Sequence, residues 1–276
     1  MNDGKSPLVS VVLPTYNRAW TVRSAIDSVL NQDYTALELI VVDDGSTDGT
    51  ADLLVDYGTQ IQVIRQSNQG VSAARNAGIQ AAEGNLIALL DSDDAWLPGK
   101  VAAQVDFFSR HPDALICQTE ELWIRNGARV NPGKRHRKEG GMIFERSLGL
   151  CLVSPSAVML RRSLLDEVGG FDPDLPACED YDLWLRIAWK YPIHLIERPL
   201  IVKHGGHADQ LSRMPELDKY RIRSITRLLQ CGCLSEDQQT AAIAMLKNKC
   251  AIYAQGCRKR GRIAEAGEYE KLTEKF

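Results

Sequence analysis

No stretch of this 276-residue chain approaches the roughly 18 consecutive apolar residues needed to span a bilayer. The opening "MNDGKSPLVS" lacks the charged-then-apolar layout of a signal peptide, so a cytoplasmic location is expected. A strong charge of one sign is missing too. The formal net charge is −3, which argues against a nucleic-acid partner. The seven cysteines form no CxxC pair, and Cys231 and Cys233 are the one close couple. Reduced thiols packed as small apolar groups are therefore expected, rather than structural zinc or a disulfide framework. Two phosphate loops are absent as well. No GxGxxG follows the first apolar run, which disfavours a dinucleotide dehydrogenase, and no GxxxxGK[ST] occurs, which disfavours a P-loop NTPase.

What is present is alternation. Short apolar runs at 8–13, 37–42, 61–65 and 85–90 read as strands, two of them apolar enough for strands covered on both faces. Between them, "TVRSAIDSVLNQ", "STDGTADLLVDYG" and "GVSAARNAGIQAAEG" read as helices. Strand–helix alternation at this spacing predicts right-handed crossovers and a parallel sheet. After Pro98 the pattern loosens. A helix "KVAAQVDFFSR", a strand "ALICQTEELWI" and a polar loop over about 126–141 follow, then a strand "PSAVML" and two helical stretches, "RRSLLDEVGGF" and "CEDYDLWLRIAWKYP". Two strands, "HLIE" and "PLIVKH", come next, and from about Pro215 the chain reads as all helical. The basic run "KRHRK" in the polar loop is either a solvated surface or a contact for a phosphorylated or membrane-borne acceptor.

Ligands in parallel α/β sheets bind beyond the carboxyl ends of strands. Three strands end there in unusual polar groups: "VVLPTYNR", "IVVDDGSTDGT" and "IALLDSDD". In the last, Asp91, Asp93 and Asp94 crowd three carboxylates into four residues, so the cluster is either an acidic turn in water or a cation site. Alone, "DDGSTDGT" also makes a good helix start, with Ser46 or Thr47 as cap.

The motifs "VSVVLPTYNR", "ELIVVDDGSTDGT", "NQGVSAARNAG", "LLDSDDAWLP" and "CEDYDLWLR" stand in an order and spacing that resembles family 2 glycosyltransferases with the GT-A fold. The resemblance runs from about Leu8 to Arg213. It implies an α/β fold of GT-A type, a Rossmann-like, mostly parallel central sheet flanked by helices, with a C-terminal helical extension. Residues 1–97 would form the nucleotide-sugar-binding half, 98–213 the acceptor and catalytic half of the same domain, and 214–276 the extension. The implied reaction is inverting transfer of a sugar from a nucleotide-diphosphate donor, a UDP- or GDP-sugar, to a hydroxyl of a cell-surface glycan, polysaccharide or glycolipid. A divalent cation, Mg²⁺ or Mn²⁺, goes with it.

Carried over residue by residue, the resemblance places Pro14 and Tyr16 beside the nucleotide base, where a ring face stacks on a base. Asp44 matches the carboxylate that hydrogen-bonds the base, with Asp43 as its neighbour, and Arg75 matches an arginine near the nucleotide. Asp91 would face the ribose, with Ser92 in the same nucleotide-binding set, and Asp93 would bind the metal bridging the diphosphate. Asp94 is either a supporting carboxylate or a cap for the next turn. Asp180 would be the base and Glu179 would orient the acceptor or Asp180, while Asp182, two residues on, points elsewhere on a helix. In "VKHGGHADQLSR" the pattern H-x-x-Q-x-S favours His207 over His204 as a second metal ligand, with Gly205 and Gly206 permitting a flap. The alternative from another class is a non-catalytic nucleotide-sugar or glycan-binding module on the same scaffold, which need not retain both Asp93 and Asp180.

No family motif covers the tail. Ala242, Met245, Leu246 and Lys249 fall near one helical face, with Ile252 and Tyr253 continuing it. The expected arrangement is a helical pair packed on the catalytic domain. A homodimer contact is the second reading. Peripheral attachment to the inner face of the plasma membrane, through Arg258, Lys259, Arg260 and Arg262, is the third.

Overall fold

The computed structural model describes residues 6–131, 133–207 and 210–276. Residues 1–5, half of the opening stretch, and residues 208 and 209, inside the H-x-x-Q-x-S pattern, lie outside the described residues.

In chain order the elements are β1 (Val9–Thr15), α1 (Val22–Leu30), β2 (Leu37–Asp43), α2 (Thr50–Val55), β3 (Gln62–Arg65), α3 (Val71–Ala81), β4 (Leu86–Leu89), β5 (Ala95–Trp96) and α4 (Lys100–Arg110). There follow β6 (Ile116–Arg125), β7 (Ala128–Val130), α5 (Phe144–Gly149), β8 (Val158–Arg161), α6 (Arg162–Val168), α7 (Glu179–Ala188) and β9 (His194–Gly205). The chain ends in α8 (Leu217–Gln230), α9 (Glu236–Lys259) and α10 (Ile263–Leu272). The strands join one sheet in the order β3-β2-β1-β4-β8-β6-β9-β5, with β7 paired to β6.

The parallel sheet read from the first hundred residues is β3-β2-β1-β4. Beyond β4 the sheet is mixed. β8 runs antiparallel to both β4 and β6, and β9 runs parallel to β6 but antiparallel to β5. The two strands expected at "HLIE" and "PLIVKH" are a single strand, β9. Its register against β6 shifts at Thr119, Glu120 and Glu121, so the irregularity is a bulge inside one ladder rather than a break between two strands.

Successive residues of β1 supply opposite faces of the sheet. Val12, with Ile40, Val42, Ile87 and Leu89, packs under α3, α7 and the C-terminal helices. Val9, Val11 and Leu13 pack on the other side with Ile26, Val29, Val101 and Phe108. The α3–β1 contact is tight. A Cβ built on Gly78 would lie 2.4 Å from Val12 Cγ1, so only glycine lets the helix approach the strand this closely.

The tail packs back on the domain, as the first of its three readings has it. Leu246, Cys250, Tyr253 and Cys257 of α9 are buried in the same cluster as Leu148 and Tyr181. Lys249 donates to Gly149 O and Asp218. The expected apolar face needs one correction: Ile252 is exposed, and Cys250, Ala254 and Cys257 take the inward positions, because α9 is wrapped by α8 on one flank and α10 on another. Three of the four basic residues are engaged, Arg258 with Glu270, and Arg260 and Arg262 with Glu216. The thiols need a correction too. Gly232 turns the chain through a left-handed conformation just past α8, which brings Cys231 and Cys233 together as a disulfide, while Cys117, Cys151, Cys178, Cys250 and Cys257 are free. Among the described residues no helix is long and apolar enough to cross a membrane.

Candidate active site

The carboxyl ends of β1, β2 and β4 meet at one edge of the parallel half, and short polar side chains knit the loops there. Asn17, in a left-handed conformation, donates its N–H to Ser46 Oγ, and its side-chain oxygen accepts from the Thr47 N–H. Asp48 accepts from the Ala19 and Thr50 amides. The expected helix cap is thereby corrected. Ser46 and Thr47 bind the loop after β1, and α2 begins later, behind Gly49, with no side-chain cap. Pro14 lies inside β1 opposite Val42, and Tyr16, just past the strand, exposes 44% of its surface.

Asp44 is buried, yet both its oxygens are occupied. Oδ1 accepts from Gln66 Nε2 at 2.7 Å and the Gln69 amide at 2.9 Å, and Oδ2 accepts from the Gly70 amide at 2.8 Å. It thus holds the chain entering α3, where negative charge suits a helix start. A carboxylate has about four acceptor positions, so one remains for a ligand.

Arg75 is the hub of the site. Burial opposes its charge, but Asp91 and Glu179 outweigh that and hold its guanidinium firmly protonated. One arm donates to Glu179 Oε1 at 2.6 Å, the other to Asp91 Oδ1 at 2.7 Å, and the plane lies over the Phe171 ring at 4.9 Å. Glu179 belongs to the first turn of α7, 104 residues away in the chain. So the arginine that would otherwise be an exposed helix charge ties the "DSDD" turn to "CEDYD". Asn76 adds a second clamp, since its amide exchanges two hydrogen bonds with the Phe171 backbone.

In the "DSDD" turn the three aspartates part ways. Asp93 Oδ2 lies 2.9 Å from His207 Nε2. Its carboxyl is pushed up by burial and by Asp91, against the pull of His207 and Arg18. The His207 ring also meets the edge of Trp20, with centroids 5.4 Å apart. Asp94 is buried; it accepts from Ser156 Oγ at 2.6 Å and from the His204 amide at 3.0 Å. It is therefore a supporting carboxylate that fastens the end of β9 to the turn, and burial, with Asp93 and Asp91 nearby, raises its pKa well above the ordinary value. His204 directs Nδ1 at the Asp93 carbonyl, 3.1 Å away, so of the two histidines His207 is the one facing the Asp93 carboxylate. Ser92, between the two aspartates, is buried.

Asp180 is half-buried, just inside α7. Oδ1 accepts the Tyr181 amide at 2.6 Å, and Oδ2 accepts the Cys151 thiol at 3.5 Å. The preceding Cys178 has φ 61°, a left-handed conformation uncommon for a side-chain-bearing residue, and this sharp entry presents the first turn to the cleft. Asp182 turns away and pairs with Arg186 at 2.9 Å.

A glycosyl transferase family 2 model matches residues 10–169, a stretch that contains Asp44, Arg75 and the "DSDD" turn. The chain belongs to that family. This family 2 glycosyltransferase is 32% identical to an uncharacterized glycosyltransferase of Rickettsia prowazekii (strain Madrid E) over 222 residues, 78% of this chain and 70% of that protein. A Rickettsia felis relative, 32% identical over 75% of this chain, is matched over just 35% of its own length, so the chain spans about a third of that protein. The UDP-Glc:α-D-GlcNAc-diphosphoundecaprenol β-1,3-glucosyltransferase WfgD of Escherichia coli is 32% identical over 182 residues, 65% of this chain and 69% of that one. The fold is shared with S. aureus TarS 1–349, solved with UDP-GlcNAc, at a TM-score of 0.70 and 16% identity over 97% of this chain and 92% of that one.

Two residues of this glycosyltransferase's cleft escape sequence reading. Ser156, fully buried, accepts the Asp91 amide, donates to Asp94 and offers its carbonyl to Trp96 Nε1. Lys203 of β9 donates to Ser154 Oγ at 3.1 Å. Burial works against its charge, but Glu121, Asp94, Asp91 and Asp180 together hold it protonated. A serine in "SPSAVML" and a lysine in "PLIVKH" look like ordinary strand-end residues, and no local signal marks either.

Proposed function

We propose that this protein transfers a sugar from a nucleotide-diphosphate donor to a hydroxyl acceptor, with inversion at the anomeric carbon and with a divalent cation at Asp93. The observation that carries this reading is the Arg75 bridge, which joins the turn bearing Asp93 to the helix bearing Asp180. Residues 1–97 act as the donor half, 98–213 as the acceptor half. Pro14, Tyr16, Asp44, Arg75, Asp91 and Ser92 bind the nucleotide. The Asp44 carboxylate has an acceptor position to spare for a base, and the Tyr16 ring, just past β1, stands exposed and free to stack.

The donors at Asp93 fit a divalent cation. The Asp93 carboxylate suits Mg²⁺ or Mn²⁺, which keep few protein ligands and take the rest from phosphate and water. The His207 imidazole nitrogen 2.9 Å away would add a ligand better matched to Mn²⁺ than to Mg²⁺. Asp93 and His207 would hold the ion, which when bound neutralises the charge developing on the leaving diphosphate. Asp180, with one oxygen pinned by the Tyr181 amide, takes the proton of the attacking hydroxyl through the other. Glu179, held by Arg75, fixes the first turn of α7 and hence the aim of Asp180.

The relatives favour a cell-surface role: WfgD is named for a lipid-linked acceptor and TarS was solved with UDP-GlcNAc. Incubation with a panel of UDP- and GDP-sugars, with and without Mn²⁺, tests the reading through release of free UDP or GDP. Release from one donor, dependent on the cation and lost in Asp93→Ala, is expected. Calorimetry showing the same nucleotide affinity with and without Mn²⁺ would remove the metal from Asp93.

A further inference from the structure

The basic run "KRHRK" has no part in the cleft chemistry described so far. Lys134, Arg135 and Arg137 are exposed, as a solvated surface would have them, while Lys138 is buried. The segment folds back over β6 and encloses a cavity of about 260 Å³, lined by Glu121, Trp123, Lys134, His136, Arg137 and Lys138 among others. The floor is rigid. Glu121 accepts Trp123 Nε1 at 2.7 Å and pairs with Lys138 at 2.9 Å, both side chains of that pair being nearly sealed from solvent. The Trp123 ring is packed by His136, centroids 5.4 Å apart, and Arg125 lies over it at 5.3 Å.

The charge inside the cavity is specific. Lys138 and Glu121 cancel, which leaves Lys134 and Arg137 against Glu120. His136 adds no charge there. Arg135 Nε donates to its Nε2 at 3.1 Å, so that nitrogen carries no proton. Lys134 and Arg137 are both exposed at the rim.

Position ties the cavity to the reaction. In the parallel β6–β9 ladder Trp123 stands opposite Lys203, and against burial the charges of Lys138 and Lys203 hold the Glu121 carboxyl below its ordinary range. Next to Lys203 in β9, His204 donates its amide to Asp94 of the "DSDD" turn at 3.0 Å. The strand that carries Trp123 into the cavity is thus the neighbour of the β9 segment fastened to the "DSDD" turn.

We infer that this cavity is a subsite for the diphosphate of an anionic acceptor, with Lys134 and Arg137 as its phosphate-binding pair. Arginine and lysine together suit a diphosphate, one as a planar fork and the other as a point charge. The inference rests on the glycosyl-transfer reading above, and it is tested without turnover so that the two fail separately.

Farnesyl diphosphate is titrated calorimetrically into the full chain, in metal-free buffer with saturating UDP and GDP to fill the donor side. Lys134→Ala/Arg137→Ala is expected to weaken binding roughly ten- to hundredfold, while Lys259→Ala, an exposed cation of α9, leaves it unchanged. Nucleotide affinity of the double variant serves as the check that the fold and the donor side are intact. Inorganic diphosphate showing the same sensitivity to the double variant also supports the subsite and assigns recognition to the diphosphate alone. No binding by the wild-type chain, or equal affinity in the double variant, overturns it. So does a double variant that keeps farnesyl diphosphate affinity but loses co-sedimentation with phosphatidylglycerol vesicles, since the loop would then contact a membrane surface instead.

Discussion

The two sides of the cleft are held together by different means. On the proposed donor side, short polar residues close to one another in sequence, Ser46, Asp48 and Thr50, bind the loop after β1, and Asp44 gathers the amides of the next turn. On the proposed acceptor side and across to it, contacts come from distant segments and many involve buried charges: Glu121 with Lys138, Arg75 of the donor half with Glu179, and Lys203 held protonated by the surrounding carboxylates. Hydrogen bonds to backbone amides satisfy a polar loop at little desolvation cost. Buried ion pairs hold only while both partners are present. The donor side should therefore tolerate single changes that the acceptor side does not.

The largest effect should come from Asp180→Asn. It keeps the shape and the contact with the Tyr181 amide but cannot take a proton. Transfer should fall by roughly two to four orders of magnitude while nucleotide binding survives. Near-normal transfer would move the base to another carboxylate.

Next in size is the link between the sides. Arg75→Met leaves Asp91 and Glu179 facing each other across a buried gap, and loss of one partner from a buried pair costs about 3–5 kcal/mol. Urea unfolding should show that loss, together with weaker nucleotide binding. A stable variant with intact binding would show that the two sides stand independently.

A third test concerns a buried cation with no carboxylate partner in contact. Lys100 is fully buried over the Trp96 ring at 3.8 Å, with Gln104 as its hydrogen-bond partner, and burial brings its pKa down to about 7. In the unfolded chain it keeps its proton to near the ordinary lysine value, so above pH 7 the unfolded state binds one more proton and stability rises with pH. The slope is about 1.4 kcal/mol per pH unit for one proton. The window closes near the ordinary thiol pKa, where Cys117, pushed up to about 12 by burial, starts to act in the opposite sense. Unfolding free energies at pH 7, 8 and 9 should rise in the wild type relative to Lys100→Met. Parallel profiles would mean that the buried lysine keeps its proton throughout.

The smallest effect serves as a control outside both sides. Ser235 caps α9 in a capping box with Gln238, so Ser235→Ala should cost about 1 kcal/mol in thermal unfolding and leave nucleotide binding unchanged.

What the sequence determined by itself follows from local physics. Apolar runs ending in polar turns placed β1, β2 and β4, and alternation with amphipathic helices placed α1, α3 and α4, because strand and helix periodicities are properties of adjacent residues. Asp93 and Asp180, as proposed metal ligand and base, were marked not by local physics but by the ordered motifs that resemble the family. The tertiary structure alone decided the mixed order of the second half, since the antiparallel fit of β8 between β4 and β6 depends on partners far along the chain. It also turned Arg75 inward, made Ser156 and Lys203 members of the cleft, and closed "KRHRK" over β6. In each case the cause is a neighbour dozens of residues away, and burial beside that neighbour, rather than residue type, sets what the side chain does.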